Sequence, residues 1–294
     1  MELRVLQYFL MIAREENITR AARLLHVTQP TLSRQIMQLE EELGVTLFRR
    51  SNHAILLTED GMLLKRRAQE MLDLAEKTTQ ELAHGETELA GTLSIGCGEL
   101  LSMDTLAGLL ADFRSVHPGV RVTLYSGTAD LIRYKIEMGL LDFGLMLEPV
   151  EMSKYSFLPM PVAEEWCVIV PEDSPLAAQP AVELLRLPPH SLMFSGSERL
   201  ASEFRRRFGE DFDGLDSGLR FDLTYNATAM VRKGMGYALT LRLASSYDGV
   251  VCVPLSPRQT SGSVLAWKKD QASCALTQAF IEYAREKLTP RPQA

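Results

Sequence analysis

The chain has 294 residues, 46% hydrophobic and 23% charged, a globular composition that excludes a disordered chain and a length that points to two domains rather than one core. No apolar run approaches the roughly 20 residues that span a bilayer, and Glu2, Arg4 and Arg14 interrupt any secretory leader, so neither a membrane protein nor an exported one is expected. The net charge of −7 is unevenly spread: residues 1–66 hold nine Lys/Arg against eight Asp/Glu, and the remainder carries the acidic excess.

In chain order, Leu3, Leu6, Leu10 and Ala13 recur at helical spacing and predict a helix over Glu2–Glu16. A second helix is expected over about Ile18–His26, where Ala21 and Ala22 would let another helix cross closely. After a turn at Val27-Thr28, Thr28 can cap a third helix with Pro30 in its first turn, where a missing N–H costs little. Leu32, Ile36, Leu39 and Leu43 give this helix one apolar stripe, and Gly44 ends it. At about 100° per residue, Pro30, Arg34, Met37 and Gln38 fall on the opposite face, flanked by Thr31 and Ser33. Two short β-prone pieces, Thr46–Arg49 and Ala54–Leu57, joined by Arg50–His53, read as a wing.

This pattern suits DNA. A recognition helix needs an apolar face to dock on its scaffold and a polar N-terminal face to enter the major groove. An outward Arg can reach guanine O6 and N7 together, and short Thr, Ser and Gln side chains can reach base edges or phosphates. Asn17–Leu39 carries three Arg and no acid, and Val45–Thr58 carries Arg49, Arg50 and His53 and no acid. Phosphate contact requires local positive surface, not a basic chain. Glu40, Glu41 and Glu42 would repel phosphate and turn the helix end away from it. The wing can follow the backbone or enter the minor groove.

Thr58 can cap a long helix from Glu59 to about Ala83, with Glu59 and Asp60 in its first turn. Leu64, Ala68, Met71, Ala75, Thr78 and Leu82 alternate four and three apart, a seam suited to self-association, with packing on its own domain as the alternative. His84–Gly91 is polar and reads as a hinge. Beyond it, strand-like runs are Thr92–Cys97, Val120–Tyr125, Asp142–Leu147, Trp166–Val170, Leu192–Phe194, Phe221–Tyr225, Tyr237–Leu241, Val250–Leu255 and Ser263–Trp267. Helical stretches are Met103–Val116, Ala129–Met138, Glu198–Phe208, Ala227–Lys233 and Gln271–Leu288. Such alternation implies parallel sheets with helices on both faces. A helix-Gly-x-x-strand pattern at Gly139 returns at Gly234, as two similar lobes would produce. Cys97, Cys167, Cys252 and Cys274 lie far apart with no C-x-x-C, which predicts isolated thiols in a reducing cytoplasm.

The run Ala21-Ala22-x-x-Leu25-His26-Val27-Thr28-Gln29-Pro30-Thr31-Leu32-Ser33-Arg34-Gln35-Ile36 is followed by Leu39-Glu40-x-x-Leu43-Gly44. Leu47-Phe48-x-Arg50 and Leu57-Thr58-x-x-Gly61 then complete a pattern that closely resembles LysR-type transcriptional regulators. The match is dense over residues 1–61 and continues as architecture along the chain. The resemblance implies a winged helix-turn-helix at 1–61, a linker and dimerisation helix at 62–87, and a two-lobed, periplasmic-binding-protein-like α/β effector domain at 88–294. Lobe one would cover about 91–162 plus 267–294, and lobe two about 163–266. It further implies that Gln29, Pro30, Ser33 and Arg34 contact bases and backbone in the major groove. The wing position of His53 is commonly Arg in that family. With Thr28, Thr31, Gln38 and Arg50, these complete the expected DNA-contacting set. Expected partners are double-stranded DNA as an interrupted palindrome, RNA polymerase, and further copies of the chain as a homodimer or homotetramer.

Ligands of open α/β sheets sit past the C-terminal ends of the strands. Those positions are Gly98, Glu99 and Ser102, then Ser126 and Thr128, then Phe194, Ser195 and Gly196, then Asn226 and Thr228. Several would open helices, where free N–H groups hold anions; plain capping by Ser102, Ser126, Ser197 and Asn226 is the alternative. As a set they resemble the inducer cleft of LysR-type sensors. Gly96-Cys97-Gly98 begins like a dinucleotide fingerprint but lacks the third Gly. The five histidines show no metal-ligand spacing, and no G-x-S-x-G elbow is present. Neither cofactor, metal nor catalytic residue is expected. A solute-binding protein or enzyme with dimerising N-terminal helices is the competing reading, and the missing leader and nucleophile count against it.

Overall fold

The computed structural model describes residues 1–50, 55–83, 89–148, 153–269 and 274–288. The chain divides into two compact units, 1–83 and 84–294. Most of the expected hinge, residues 84–88, lies outside the described residues, as does His53. Among the described residues no helix is long and apolar enough to cross a membrane.

The first unit runs α1 (Leu3–Glu15), α2 (Ile18–Leu24), α3 (Gln29–Leu43), β1 (Phe48–Arg50), β2 (Ile55–Leu57) and α4 (Glu59–Ala83). Leu6, Phe9 and Ile12 of α1 meet Leu32, Ile36 and Leu39 of α3 in one core, closed by Ala21 and Ala22 of α2. Each large side chain so buried contributes on the order of 1.5–3 kcal/mol of transfer free energy. Leu43, expected on the α3 stripe, is instead exposed. Asn17 caps α2 by accepting the Arg20 N–H at 2.9 Å. Thr58 accepts the Gly61 N–H at 3.0 Å while its hydroxyl donates to the Thr46 carbonyl at 2.6 Å. A Cβ at Gly61 would overlap the Leu47 carbonyl oxygen, so the start of α4 can lie this close to the wing only with glycine there.

The expected α4 seam is partly covered within its own unit. Ala68 is fully buried within its own unit, and Leu64 and Met71 pack on the same core, because α4 lies along α1. Ala68 therefore has no surface left for a partner, while Leu64 and Met71 keep part of theirs and Thr78 is exposed. The half-buried Ala75 lies further along α4, and the Leu82 side chain is outside the described set. Leu63 and Leu74 are exposed instead, and eleven residues of helix place them on one face.

The second unit begins with β3 (Gly91–Cys97), α5 (Ser102–Val116), β4 (Val120–Ser126), α6 (Ala129–Glu137), β5 (Phe143–Leu147) and β6 (Tyr155–Pro159). It continues with β7 (Glu164–Pro171), β8 (Val182–Glu183), β9 (Leu192–Ser195), α7 (Glu198–Phe208), β10 (Asp216–Phe221), α8 (Thr224–Arg232) and β11 (Tyr237–Leu241). It ends with β12 (Val250–Ser256), β13 (Thr260–Ser261), β14 (Ser263–Lys268) and α9 (Ala275–Leu288). Two sheets form two lobes. The first has strand order β4-β3-β5-β14-β6, with β3, β4 and β5 parallel. The second has order β10-β9-β11-β7-β12-β8, with β13 also on β7.

Both sheets are mixed, not purely parallel: β14 is antiparallel to β5 and β6, and β7 to β11 and β12. Because β14 belongs to the first sheet, lobe two ends before Ser263 and not at 266. The expected strand Phe221–Tyr225 is also corrected: the strand is β10, and Thr224 and Tyr225 open α8. Phe221, Leu223 and Tyr225 alternate as a half-buried strand would, but the chain turns into a helix there. Gly139 and Gly234, both at φ 71°, follow α6 and α8 in the left-handed conformation that ends helices and favours glycine. Cys167 of β7 and Cys252 of β12 are disulfide-bonded, with Cα atoms 5.9 Å apart, which corrects the expectation of isolated thiols. Eighty-five residues of separation hide their adjacency, which exists only once β12 pairs with β7.

Candidate nucleic-acid interface and ligand cleft

The outward face of α3 starts at Thr28, whose hydroxyl accepts the Thr31 N–H at 3.4 Å and lies 2.8 Å from the Thr31 hydroxyl. Gln29, Pro30, Thr31, Arg34 and Gln38 are exposed, and Ser33 is half-buried. With Met37 and Glu41, five of them edge a shallow hollow: Gln29, Pro30, Ser33, Arg34 and Gln38. Gln35 donates to Gln38 at 3.2 Å. Among the described residues the Arg34 guanidinium has no partner, so its donors are available. Met37, 61% exposed on this face, adds an apolar group able to meet a thymine methyl. The acids beyond have separate duties. Glu40 accepts the Leu47 and Phe48 N–H groups at 2.6 and 3.2 Å and so fixes the start of the wing. Glu42 pairs with the amino terminus. Arg50 lies at the end of β1, but its side chain is outside the described set.

In the second unit a cavity of about 170 Å³ opens between the lobes. It lies past the C-terminal ends of β3, β4, β5, β9 and β10, where Gly98, Glu99, Gly127, Thr128, Glu148, Ser195 and Asp222 line it. Ile132, Trp166, Leu200 and Leu239 form apolar walls. Of the expected residues, Gly98, Glu99, Thr128 and Ser195 face this space. Ser102, Phe194 and Thr228 are buried and do not. Thr228 donates instead to the Tyr225 carbonyl at 2.7 Å. Ser126 and Asn226 are exposed outside the cavity. Ser102, Asn226 and Thr228 lie on helices and Ser126 and Phe194 on strands, and each side chain turns into the core or away from the cleft.

The chain crosses between lobes at 159–164 and 261–263, and there Glu164 is fully buried. Its carboxylate accepts the Leu101 N–H at 2.8 Å, the Ser102 N–H at 3.0 Å and the Ser102 hydroxyl at 2.6 Å. The Ser263 hydroxyl lies 3.1 Å from the same carboxylate and 2.9 Å from Ser102 Oγ. Thus one carboxylate from the first crossover holds the start of α5 and the second crossover together. Nearer the cavity, Glu99 accepts the Thr224 N–H at 2.5 Å, tying lobe one to the first turn of α8. Burial, and then the charge of Glu99, push the Tyr247 phenol up from its ordinary value. Burial likewise raises the Cys97 thiol, against a hydrogen bond to Ser126. Among the described residues no His/Cys/Asp/Glu cluster could hold a metal ion.

The family model for the bacterial regulatory helix-turn-helix protein, lysR family, matches residues 3–62, and that for the LysR substrate binding domain matches residues 86–289. This chain belongs to the LysR family of transcriptional regulators. The regulator is 30% identical over 299 residues to the Hca operon transcriptional activator HcaR of Escherichia coli (strain K12), covering 98% of each chain. It is 31% identical over 277 residues to the dual regulator OxyR of the same organism, covering 90% of this chain and 89% of OxyR. Among solved structures, CbnR complexed with its target DNA has a TM-score of 0.73 at 21% identity, covering 97% of this chain and 99% of CbnR, and so shares the fold. HinK of Pseudomonas aeruginosa has a TM-score of 0.55 at 28% identity, covering 98% of each chain. The regulator is accordingly a DNA-binding protein with an effector domain, and not an enzyme. Sequence reasoning missed Glu148, Asp222 and Glu164. The first two follow β5 and β10 as Glu99 follows β3, so the strand-end rule applied evenly would have found them. Nothing in the sequence marks Glu164.

Proposed function

We propose that this regulator acts in the cytoplasm as a homodimer, or a tetramer of dimers, whose paired α3 helices read an interrupted palindrome. Thr28, Gln29, Pro30, Thr31, Ser33, Arg34 and Gln38 supply the major-groove contacts, and the wing with Arg50 and His53 the flanking ones. The carrying observation is the exposed first half of α3, with a partner-free Arg34 beside hydroxyl and amide side chains. Helix-turn-helix proteins insert this part of the helix. The inter-lobe cavity is the effector site. A ligand that favours one arrangement of the lobes shifts the population toward it, and with it DNA bending and polymerase contact.

The test is binding of the purified regulator to duplexes from its own upstream region at several salt concentrations. Binding should prefer one dyad-bearing duplex and weaken steeply with salt, as displaced counterions require. Equal affinity for unrelated duplexes would refute sequence reading.

A further inference from the structure

We propose that the effector of this regulator is a small organic cation, an ammonium group on an apolar body, and not an anion. The proposal rests on reading the inter-lobe cavity as the effector site and adds its chemical class.

Helix N-termini around such a cleft are the natural places for an anionic ligand, because their free N–H groups point at it. Here two of them are already filled by the protein's own carboxylates. Glu164 takes the Leu101 and Ser102 N–H groups at the start of α5. Glu99, reaching across from the other lobe, takes the Thr224 N–H at the start of α8. An anion at either of these two helix starts would have to displace a carboxylate or bind beside it, and the starts of α6 and α7, at Thr128 and Ser197, also border the cavity.

The cavity lining argues the same way from charge. Among the described residues it contains the carboxylates of Glu99, Glu148, Glu203 and Asp222 and a single cation, Arg133. Arg133 is paired with Asp130, and Glu203 with Arg207 at 2.5 Å, so those charges are largely neutralised. Glu148 and Asp222 remain, and among the described residues neither carboxylate has a hydrogen-bond or ion-pair partner, while the Glu148 backbone N–H donates to the Gly262 carbonyl. One follows β5 in lobe one and the other follows β10 in lobe two. In a cleft with low-dielectric walls, unpaired like charges repel an anion and attract a cation more strongly than they would in open water. A cation between them would pair with both lobes at once. The apolar walls, Ile132, Trp166, Leu200 and Leu239, suit a hydrocarbon or ring body behind the charged head.

Three probes of similar size separate the possibilities: benzylamine, benzyl alcohol and benzoate, titrated calorimetrically into the full-length regulator at pH 7 and low salt. Benzylammonium should bind at least tenfold more tightly than benzoate, with benzyl alcohol between them. In the Glu148→Gln/Asp222→Asn double variant, the benzylammonium advantage should vanish while benzyl alcohol binds as before. Both carboxylates are exposed, so this variant keeps the core intact. Benzoate binding as tightly as benzylammonium would overturn the cation class and leave the cavity standing as the effector site. Failure of all three probes at millimolar concentration would overturn the cavity reading, and the proposal with it.

Discussion

Glu99 and Thr224, 125 positions apart in the chain, are joined by a carboxylate-to-amide hydrogen bond of 2.5 Å that crosses from one sensor lobe to the other. The acceptor is charged and the donor is the first-turn amide of α8, so the helix dipole adds to the bond. Glu99→Ala leaves the amide of the buried Thr224 without this acceptor, which costs about 1–3 kcal/mol. The sensor of the variant should melt at lower temperature than wild type, and small-angle scattering should show a more open pair of lobes. An unchanged melt and profile would show that the bond contributes no net stability.

Glu164 should be less replaceable. Its carboxylate satisfies two backbone amides and a serine hydroxyl in a fully buried site. Glu164→Ala strands those donors together, and losses of this type run to about 3 kcal/mol or more. Glu164→Gln keeps acceptor capacity through one oxygen and should lose less. Urea unfolding of the three proteins ranks them, and an alanine variant as stable as wild type would contradict the assignment.

Asp216 supplies a pH dependence. Two hydrogen bonds from Arg220, at 2.7 and 2.6 Å, hold its carboxyl below the ordinary value, against partial desolvation and with help from the Gly218 amide. Since the folded value is lowered, the contribution is present above the unfolded value of about 3.9 and fades as pH falls through the folded one. The pair is partly exposed, so its worth at neutral pH is about 1 kcal/mol at most. Asp216→Asn should therefore be slightly less stable than wild type at pH 7. The two stability curves should converge in acid, below about pH 4.

Arg34 faces away from Leu32, Ile36 and Leu39, which are buried in the first unit. Arg34→Ala should cost about 1–3 kcal/mol of specific DNA binding and relax preference at one position per half-site. Arg50→Ala should instead weaken specific and non-specific binding alike and flatten the salt slope. Competition binding against a set of single-base operator variants distinguishes these patterns.

The free face of α4 should carry the dimer. Leu63→Asp with Leu74→Asp places charge at two exposed apolar positions on one side of the helix, and sedimentation should show the full-length regulator shifting toward monomer. Met71→Asp acts differently, since Met71 packs on the core of its own unit; it should lower the melting temperature of the first unit. A double variant that sediments as wild type would remove this face from the interface.

The sequence by itself determined the N-terminal unit nearly residue for residue, because helix periodicity, caps and turns there are local. Thr28, Leu32, Ile36, Leu39 and Gly44 lie within seventeen positions and fix α3, its outward face and its end without reference to anything distant. Periodicity alone could not say which side of α4 was already covered, and only the packing of α4 along α1 decided that Ala68 is core. In the second unit the order of most strands and helices was likewise legible from local apolar runs. The side chains that face the cleft were less so, since Ser102 and Thr228 sit near the expected strand ends yet turn inward. Long-range pairings left no local trace. Cys167 meets Cys252, Glu164 meets Ser102 and Ser263, and Glu99 meets Thr224 only because two sheets align strands and lobes from distant parts of the chain. Such contacts arise from the summed burial of both sheets and not from the preference of any short segment, so only the tertiary structure could decide them.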